Sequence, residues 1–371
     1  MNFTAHPTWI EIDRAQFKKN ISIIKKHVAP SLFCLPVKAN AYGHGLKEMG
    51  QAAVDAGVDY LAVAHLKEAI ALRQYGINIP ILVLGAIHED QIEDFIEWGL
   101  EFTISSKFKA ELVAKVCQNR CAKVKVHVEI DTGMHRTGVR PDTAIHLIEF
   151  IDSYPCFQLT GVYSHLATAD VPLDPHALKQ IEAFRKVLSH EIFSQRKILR
   201  HMANSSACLF YPTSFFDMVR PSLLAFGYGP ENMPKALAGI APCFSLKSKV
   251  SYFKVVKEGE GISYGRGYIT KKATRIVTIP IGYGDGLRRS LSNQGSILLR
   301  GRRYPICGSI CMDQCMVDLG DDEGYVGDEV VLIGAQGDEN ISLMEVAQLC
   351  ETIPYEVLCF FNERIPRIYV S

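Results

Sequence analysis

Phe33-Cys34-Leu35-Pro36-Val37-Lys38 (FCLPVK) is an unbroken apolar run closed by a lysine, and its reading decides the fold. A short apolar run bounded by polar residues is what a strand buried on both faces looks like. Further runs begin near Tyr60 (YLAVA), Pro80 (PILVLG), Glu101 (EFTIS), Lys123 (KVKVHVEID), Gln158 (QLTGVYSH), Arg200 (RHMAN) and Asp217 (DMVR). Between them lie amphipathic stretches: Phe17, Ile21 and Ile24 behind an Asp13-x-x-Gln16 cap, then Phe108, Leu112 and Val116, then Ile181, Phe184 and Leu188. Strands alternating with helices predict a parallel sheet, and eight strands are the number that closes a (β/α)8 TIM-type barrel.

After about Pro242 the texture changes to alternating strands with glycine-rich turns: KSKVSYFKVV, RIVTIPI, SILLRG, RYPICGSICM and DEVVLIG. Ser342 and Glu345 form a capping box for a short late helix, and Tyr355–Val370 reads as a further strand-rich segment. The expected class is therefore α/β: a barrel over residues 1–240, then a mainly β C-terminal domain over 241–371, with residues 1–12 available to pair with it. No long flexible tether interrupts the junction near residue 240, so the two domains are expected to pack rigidly and to build a cleft.

The 371 residues are 48% hydrophobic and 22% charged, the balance of a chain with large cores. Lys plus Arg equals Asp plus Glu at 40 each, so no global field attracts nucleic acid or an anionic membrane. Met1–Asp13 has no basic region leading into an apolar one, and no run of about eighteen apolar residues occurs. A cytoplasmic enzyme with a small-molecule partner is the expectation. The 11 cysteines are expected to be free thiols in a reducing compartment. Cys307, Cys311 and Cys315 would share one face of a continuous strand, but their spacing matches neither a zinc pair nor an iron–sulfur run, and no metal is expected.

Function on such a barrel gathers at the C-terminal strand ends. The first strand ends in Val37-Lys38-Ala39-Asn40-Ala41-Tyr42-Gly43-His44-Gly45. A strand-end lysine ordinarily snorkels to solvent. An imine-forming lysine instead needs burial and nearby cations to lower its pKa. Gly43 and Gly45, which let backbone approach a ligand, and Tyr42, which offers a hydroxyl to a phosphate, favour the second reading.

VKANAYGHG resembles the cofactor-lysine signature of the alanine racemase family, two-domain fold-type III pyridoxal-phosphate enzymes. Further matches follow in order: DTGMHRTG (Asp131–Gly138), YSHLATAD (Tyr163–Asp170), NSSA (Asn204–Ala207), VRPSLLAFG (Val219–Gly227), SYGRGY (Ser263–Tyr268), IGYGDG (Ile281–Gly286) and CMDQCMVD (Cys311–Asp318). The resemblance spans nearly the whole chain. It implies that Lys38 carries pyridoxal 5'-phosphate and serves as one proton-transfer base, with Tyr264 as the other. Racemisation takes a proton from one face of a planar intermediate and returns one to the other, so two bases must flank the plane. In the family that tyrosine comes from the neighbouring subunit, which implies a homodimer with shared active sites.

By the same resemblance Arg220 faces the cofactor's pyridine nitrogen, where a guanidinium disfavours a second positive charge. His165 packs against the ring. Tyr42, Ser205, Ser222 and Tyr355, with Asn204 beside them, hold the phosphate. Arg136 and the backbone N–H of Met312 contact the substrate carboxylate, and Asp313 flanks the way in. Tyr283 and Tyr355 narrow the pocket toward a small amino acid such as alanine. The implied product is D-alanine for peptidoglycan.

Two positions depart from the commonest family sequence. Ser222 stands where a glycine usually follows Arg-Pro, and Glu129 stands where many members carry a carbamylated lysine. Glu129 supplies a carboxylate directly, and it is expected to orient Arg136 through a charge-assisted bond. A serine or broad-specificity racemase shares these motifs, because pocket shape sets substrate choice. A fold-type III amino-acid decarboxylase is disfavoured by the absence of a glycine-triplet phosphate loop and by Arg220 in place of an acidic ring partner. A non-catalytic pyridoxal-phosphate-binding protein would lack the second domain and Tyr264.

Overall fold

The computed structural model describes residues 6–230 and 233–371. A first strand, β1 (Trp9–Asp13), precedes the parallel strands of a closed barrel: β2 (Leu32–Pro36), β3 (Tyr60–Val63), β4 (Ile81–Val83), β5 (Glu101–Ile104), β6 (Val124–Glu129), β7 (Phe157–Tyr163), β8 (Leu199–His201) and β9 (Met218–Val219). The ring closes where Leu32 and Phe33 pair with Met218 and Val219. The runs that signalled strands are buried almost throughout in β3, β4 and β5, because helices cover the outer face and side chains fill the inner one.

Helix Arg14–Val28 turns Phe17, Ile21, Ile24 and Val28 inward, a stripe of helical period. Each large apolar side chain buried this way contributes about 1.5–3 kcal/mol. The Gln16 carboxamide bonds forward, to Asn20 at 2.7 Å and to the Gly239 carbonyl at 3.1 Å.

Helix Lys107–Arg120 departs from the sequence expectation. Phe108 is exposed, and the inward face is Ala110, Val113, Ala114 and Cys117. The small side chains keep the same helical spacing and allow close approach to the sheet, leaving Phe108 exposed and Leu112 and Val116 half-buried.

The remaining strands are β10 (Phe244–Lys249), β11 (Tyr252–Val256), β12 (Gly261–Ile262), β13 (Tyr268–Ile269), β14 (Thr274–Ile279), β15 (Ser296–Leu299), β16 (Arg302–Pro305), β17 (Cys315–Asp318), β18 (Glu329–Gln336), β19 (Glu339–Ile341) and β20 (Arg367–Val370). A seven-stranded sheet runs β16-β15-β18-β10-β1-β20, with β19 on β18, and β11-β14-β17 forms a second sheet. β1 pairs antiparallel with β10 and parallel with β20. By their contacts the residues fall into two units. One comprises Gln16–Ala41 and Leu46–Pro242; the other comprises the segment ending at Ala15, Tyr42–Gly45 and Cys243–Ser371.

Two local expectations are corrected here. Tyr355 does not open a strand-rich segment: Pro354–Phe360 is a helix with proline at its first turn, and only Arg367–Val370 is strand. Proline's fixed φ suits a helix start, and Val357 and Leu358 supply the buried side. The RYPICGSICM strand ends at Pro305, so Cys307 and Cys311 lie in connecting chain and only Cys315 stands on a strand. Among the described residues no group of three or more His, Cys, Asp or Glu side chains could hold a metal ion, and no helix is long and apolar enough to cross a membrane.

Candidate active site

Lys38 stands two residues beyond the end of β2, at the C-terminal mouth of the barrel. The four residues after it, Ala39, Asn40, Ala41 and Tyr42, all have φ between 51° and 55°, a turn of left-handed helix built without glycine. Such a conformation costs roughly 1–2 kcal/mol per residue and persists only where its surroundings hold it. The Ala39 N–H donates to Glu68 Oε1 at 2.6 Å, and the Leu46 N–H donates to Asn40 Oδ1 at 2.7 Å. Gly43 follows at φ 78°, where a Cβ would lie 2.2 Å from the Leu358 carbonyl oxygen, so a side chain is excluded there.

Arg220, one residue past β9, is buried. Its four bonds go to neutral acceptors: His201 Nδ1 and the Ser164 carbonyl at 2.8 Å, and His165 Nδ1 and the Met202 carbonyl at 3.3 Å. Its guanidinium carbon lies 5.1 Å from the centroid of the Tyr163 ring. Burial first, and then the positive charges of Arg220, Arg136 and Lys38, hold His165 at about 3 instead of the usual 6.5. The charges of Arg220, Arg136 and Lys38 thus all act on the His165 imidazole, and Arg220 touches it directly.

Ser205 Oγ accepts the backbone N–H groups of Ser222 (2.8 Å) and Leu224 (3.3 Å) and lies 3.3 Å from Ser222 Oγ. With its lone pairs engaged, the Ser205 proton is the part left to give. Asn204 Oδ1 caps helix Ser205–Phe210 by accepting from the Ala207 N–H at 3.0 Å, which leaves its amide N–H groups as donors. In the other unit, Tyr42 and Tyr355 meet edge to face with ring centroids 6.0 Å apart.

Glu129 is buried at the end of β6. Among the described residues no ion pair joins it to Arg136, which is exposed. The Thr137 hydroxyl donates to Glu129 Oε2 at 2.6 Å, and the Tyr163 hydroxyl donates to it at 3.3 Å. The expected charge-assisted bond is thus replaced by a hydroxyl bond one residue along: the carboxylate grips the loop that carries Arg136, and not the guanidinium.

Tyr264, Tyr283, Met312 and Asp313 gather in one cluster of loops in the second unit. Ser309 Oγ donates to the Tyr264 carbonyl at 3.1 Å. The N–H groups of Tyr283 and Gly284 donate to the carbonyls of Cys311 and Met312 at 3.0 and 2.8 Å. Asp313 pairs with Arg364 at 2.7 Å. The Tyr264 side chain is 73% exposed.

Sequence reasoning missed Glu68, which holds the turn after Lys38, and the buried trio Glu101, His127 and His201. Glu68 carried a weak signal, since it sits three residues after His65 at the start of helix Leu66–Gln74. The trio carried none, because those residues lie inside strands and meet only in three dimensions.

A lysine at the barrel mouth, neutral hydroxyl donors for a dianion, and an arginine committed to neutral acceptors form a donor set that fits pyridoxal phosphate.

The family model described as alanine racemase, N-terminal domain, matches residues 12–230, and the one described as alanine racemase, C-terminal domain, matches residues 243–369. Alanine racemase 2 of Caldanaerobacter subterraneus subsp. tengcongensis is 40% identical over 368 residues, covering 98% of this chain and 95% of that one. The solved alanine racemase of Clostridium difficile 630 superposes with a TM-score of 0.93 at 35% identity, covering 99% and 97% of the two chains. That of Bacillus anthracis, with bound L-Ala-P, superposes at 0.92 and 35% identity, covering 100% and 96%.

Proposed function

Because the chain belongs to the alanine racemase family, we propose that it interconverts L-alanine and D-alanine with pyridoxal 5'-phosphate on Lys38. The observation that carries this reading is the buried Arg220 guanidinium, bonded to His165, His201 and two backbone carbonyls one residue past β9, in the barrel whose β2 leads into Lys38. When bound, the cofactor withdraws electrons from the substrate α-carbon and makes its C–H bond acidic.

The side chains do the rest. The Lys38 amine takes or returns a proton on one face, and the Tyr264 phenol does so on the other. Arg220 stays charged, because guanidinium does not titrate in the working range, and so withholds a proton from the pyridine nitrogen. Ser205, Ser222, Tyr42 and Tyr355 hold the phosphate, with Asn204 fixing the helix start beside them. Arg136 and the Met312 N–H take the substrate carboxylate, Asp313 flanks the way in, and Tyr283 narrows the space to a small side chain.

Tyr264 is supplied by a second copy of the chain, so the working form is a homodimer. The exposed Tyr252, Val255 and Tyr264 form an apolar surface of the kind that seeks a partner. The product is D-alanine for peptidoglycan, made in the cytoplasm without nucleic-acid or membrane partners.

Lys38→Ala is the direct test. The purified variant is expected to stay colourless with added cofactor and to lose racemisation of alanine. A variant that racemises alanine at the parent rate overturns the assignment. Comparing kcat/KM for alanine, serine and lysine then fixes specificity, and a preference for serine overturns alanine as the substrate.

A further inference from the structure

The barrel interior holds a row of polar groups that the chemistry above does not use. Arg220 Nη1 donates to His201 Nδ1 at 2.8 Å, His201 Nε2 lies 2.9 Å from His127 Nδ1, and His127 Nε2 lies 3.0 Å from Glu101 Oε2. Both histidines are fully buried, and Glu101 is 2% exposed.

The two ends of the row force its direction. A guanidinium has only donors, so His201 Nδ1 is an acceptor and its proton sits on Nε2. That proton goes to His127 Nδ1, which places the His127 proton on Nε2, facing Glu101. An ionised carboxylate only accepts, so it closes the row in this one sense.

The barrel wall is built around this row. A Cβ on Gly161 would lie 2.4 Å from His127 Nδ1, so the glycine on β7 makes room for the ring. The register of β6 against β7 slips at this level, with Val126 opposite Leu159 but His127 opposite Gly161. The displaced Thr160 turns its hydroxyl to Glu101 Oε2 at 3.1 Å. Tyr163 stacks on His201 with centroids 4.9 Å apart at 21°. A bulge and a glycine in a barrel strand weaken the wall, and here both serve the imidazole row.

We propose that Glu101 is a positioning residue for Arg220: acting through His127 and His201, its acceptor-only carboxylate keeps an unprotonated nitrogen facing the guanidinium. This rests on the reading that Arg220 faces the cofactor's pyridine nitrogen. In a reversed row the His201 Nδ1 proton would oppose an Arg220 N–H, donor against donor, and the guanidinium would turn away from its place.

The test uses the holoenzyme with 15N-labelled histidine, comparing the parent with Glu101→Gln and Glu101→Asp. A carboxamide can donate as well as accept, so Glu101→Gln permits the reversed row, whereas Glu101→Asp keeps an acceptor-only end and serves also if the glutamine variant fails to fold. The parent and Glu101→Asp are expected to show His127 and His201 each as a single Nε2–H tautomer. Glu101→Gln is expected to show a second set with Nδ1–H, and a kcat lowered about tenfold at constant KM, as for loss of an outer partner of a site. Identical imidazole signals in the parent and Glu101→Gln, a second set in Glu101→Asp, or doubled signals with unchanged kcat, overturn the proposal. The tautomers are read on the histidines and not on turnover. A protein with the expected pattern that fails to racemise alanine would therefore refute the proposed function and leave the row intact.

Discussion

Glu68 accepts the N–H of Ala39, the residue after Lys38, at 2.6 Å, and its second oxygen accepts the N–H groups of Ala64 and His65 at 3.0 and 3.3 Å. One carboxylate thus ties the left-handed turn that aims the lysine to the start of helix Leu66–Gln74. Glu68→Ala removes all three bonds and releases strained backbone beside the reactive amine. Urea denaturation is expected to show a loss of about 1–2 kcal/mol, with racemisation falling as the lysine loses its aim. Unchanged stability and rate would mean that the turn holds its shape without Glu68.

Tyr264→Phe removes the phenolic proton and keeps the ring. If Tyr264 is the second base, kcat falls by about 10²–10⁴, the contribution of a positioned acid or base. Lys38 remains to exchange the α-proton on its own face, so proton exchange from solvent should survive for one enantiomer while racemisation fails. Equal loss of exchange for both enantiomers would contradict a two-face arrangement.

Arg220→Glu tests what the positive charge does. A carboxylate there would favour a proton on the pyridine nitrogen and deepen the electron sink, at the cost of opposing the His201 Nδ1 lone pair that now accepts from the guanidinium. Transamination per turnover is expected to rise by about tenfold, the effect of ~1.4 kcal/mol on a competing barrier. By-product formation at the parent level would sever the link between arginine and reaction fidelity.

His165 gives the fold an acid limb. Its imidazole takes a proton near 6.5 in the unfolded chain but only near 3 in the folded one, through burial and then the charges of Arg220, Arg136 and Lys38. Between those values the unfolded chain binds more protons, so stability falls as pH drops through the window. His201, held well below its usual value by burial and then by Arg220, acts in the same direction. His165→Gln is expected to flatten the dependence measured by urea denaturation between about pH 7 and about pH 5. An unaltered slope would assign the limb to His201 or to other groups.

The barrel was legible because strands covered on both faces must be apolar throughout, and runs such as YLAVA have few other readings. The helix at Pro354–Phe360 was misread because Tyr355, Val357 and Phe360 favour strands locally, while the features that decide for helix are Pro354 at its start and one buried side. Phe108 misled in the opposite way, as a large apolar residue on the outer face of its helix. Site residues in strand-end motifs could be found by position. Glu101, His127 and His201 could not, since the bonds that join them span 26 and 74 residues of chain and no local pattern records them.

Glu129 and Thr137 make the last case. The Thr137 hydroxyl donates to Glu129 Oε2 at 2.6 Å, and Arg136 is the residue immediately before it. The carboxylate therefore acts on Arg136 through the loop, and breaking the bond from either end should have the same effect. Thr137→Val and Glu129→Leu, neither of which can keep the bond, are each expected to raise KM for alanine several-fold with a smaller change in kcat, the signature of a loosened carboxylate contact. The double variant should add little, because two changes that break one bond are not additive. Glu129 also accepts from the Tyr163 hydroxyl, whose ring stacks on His201, so any excess of Glu129→Leu over Thr137→Val measures that second path. Fully additive effects on KM would show that the two residues act separately and that the loop is held by something else.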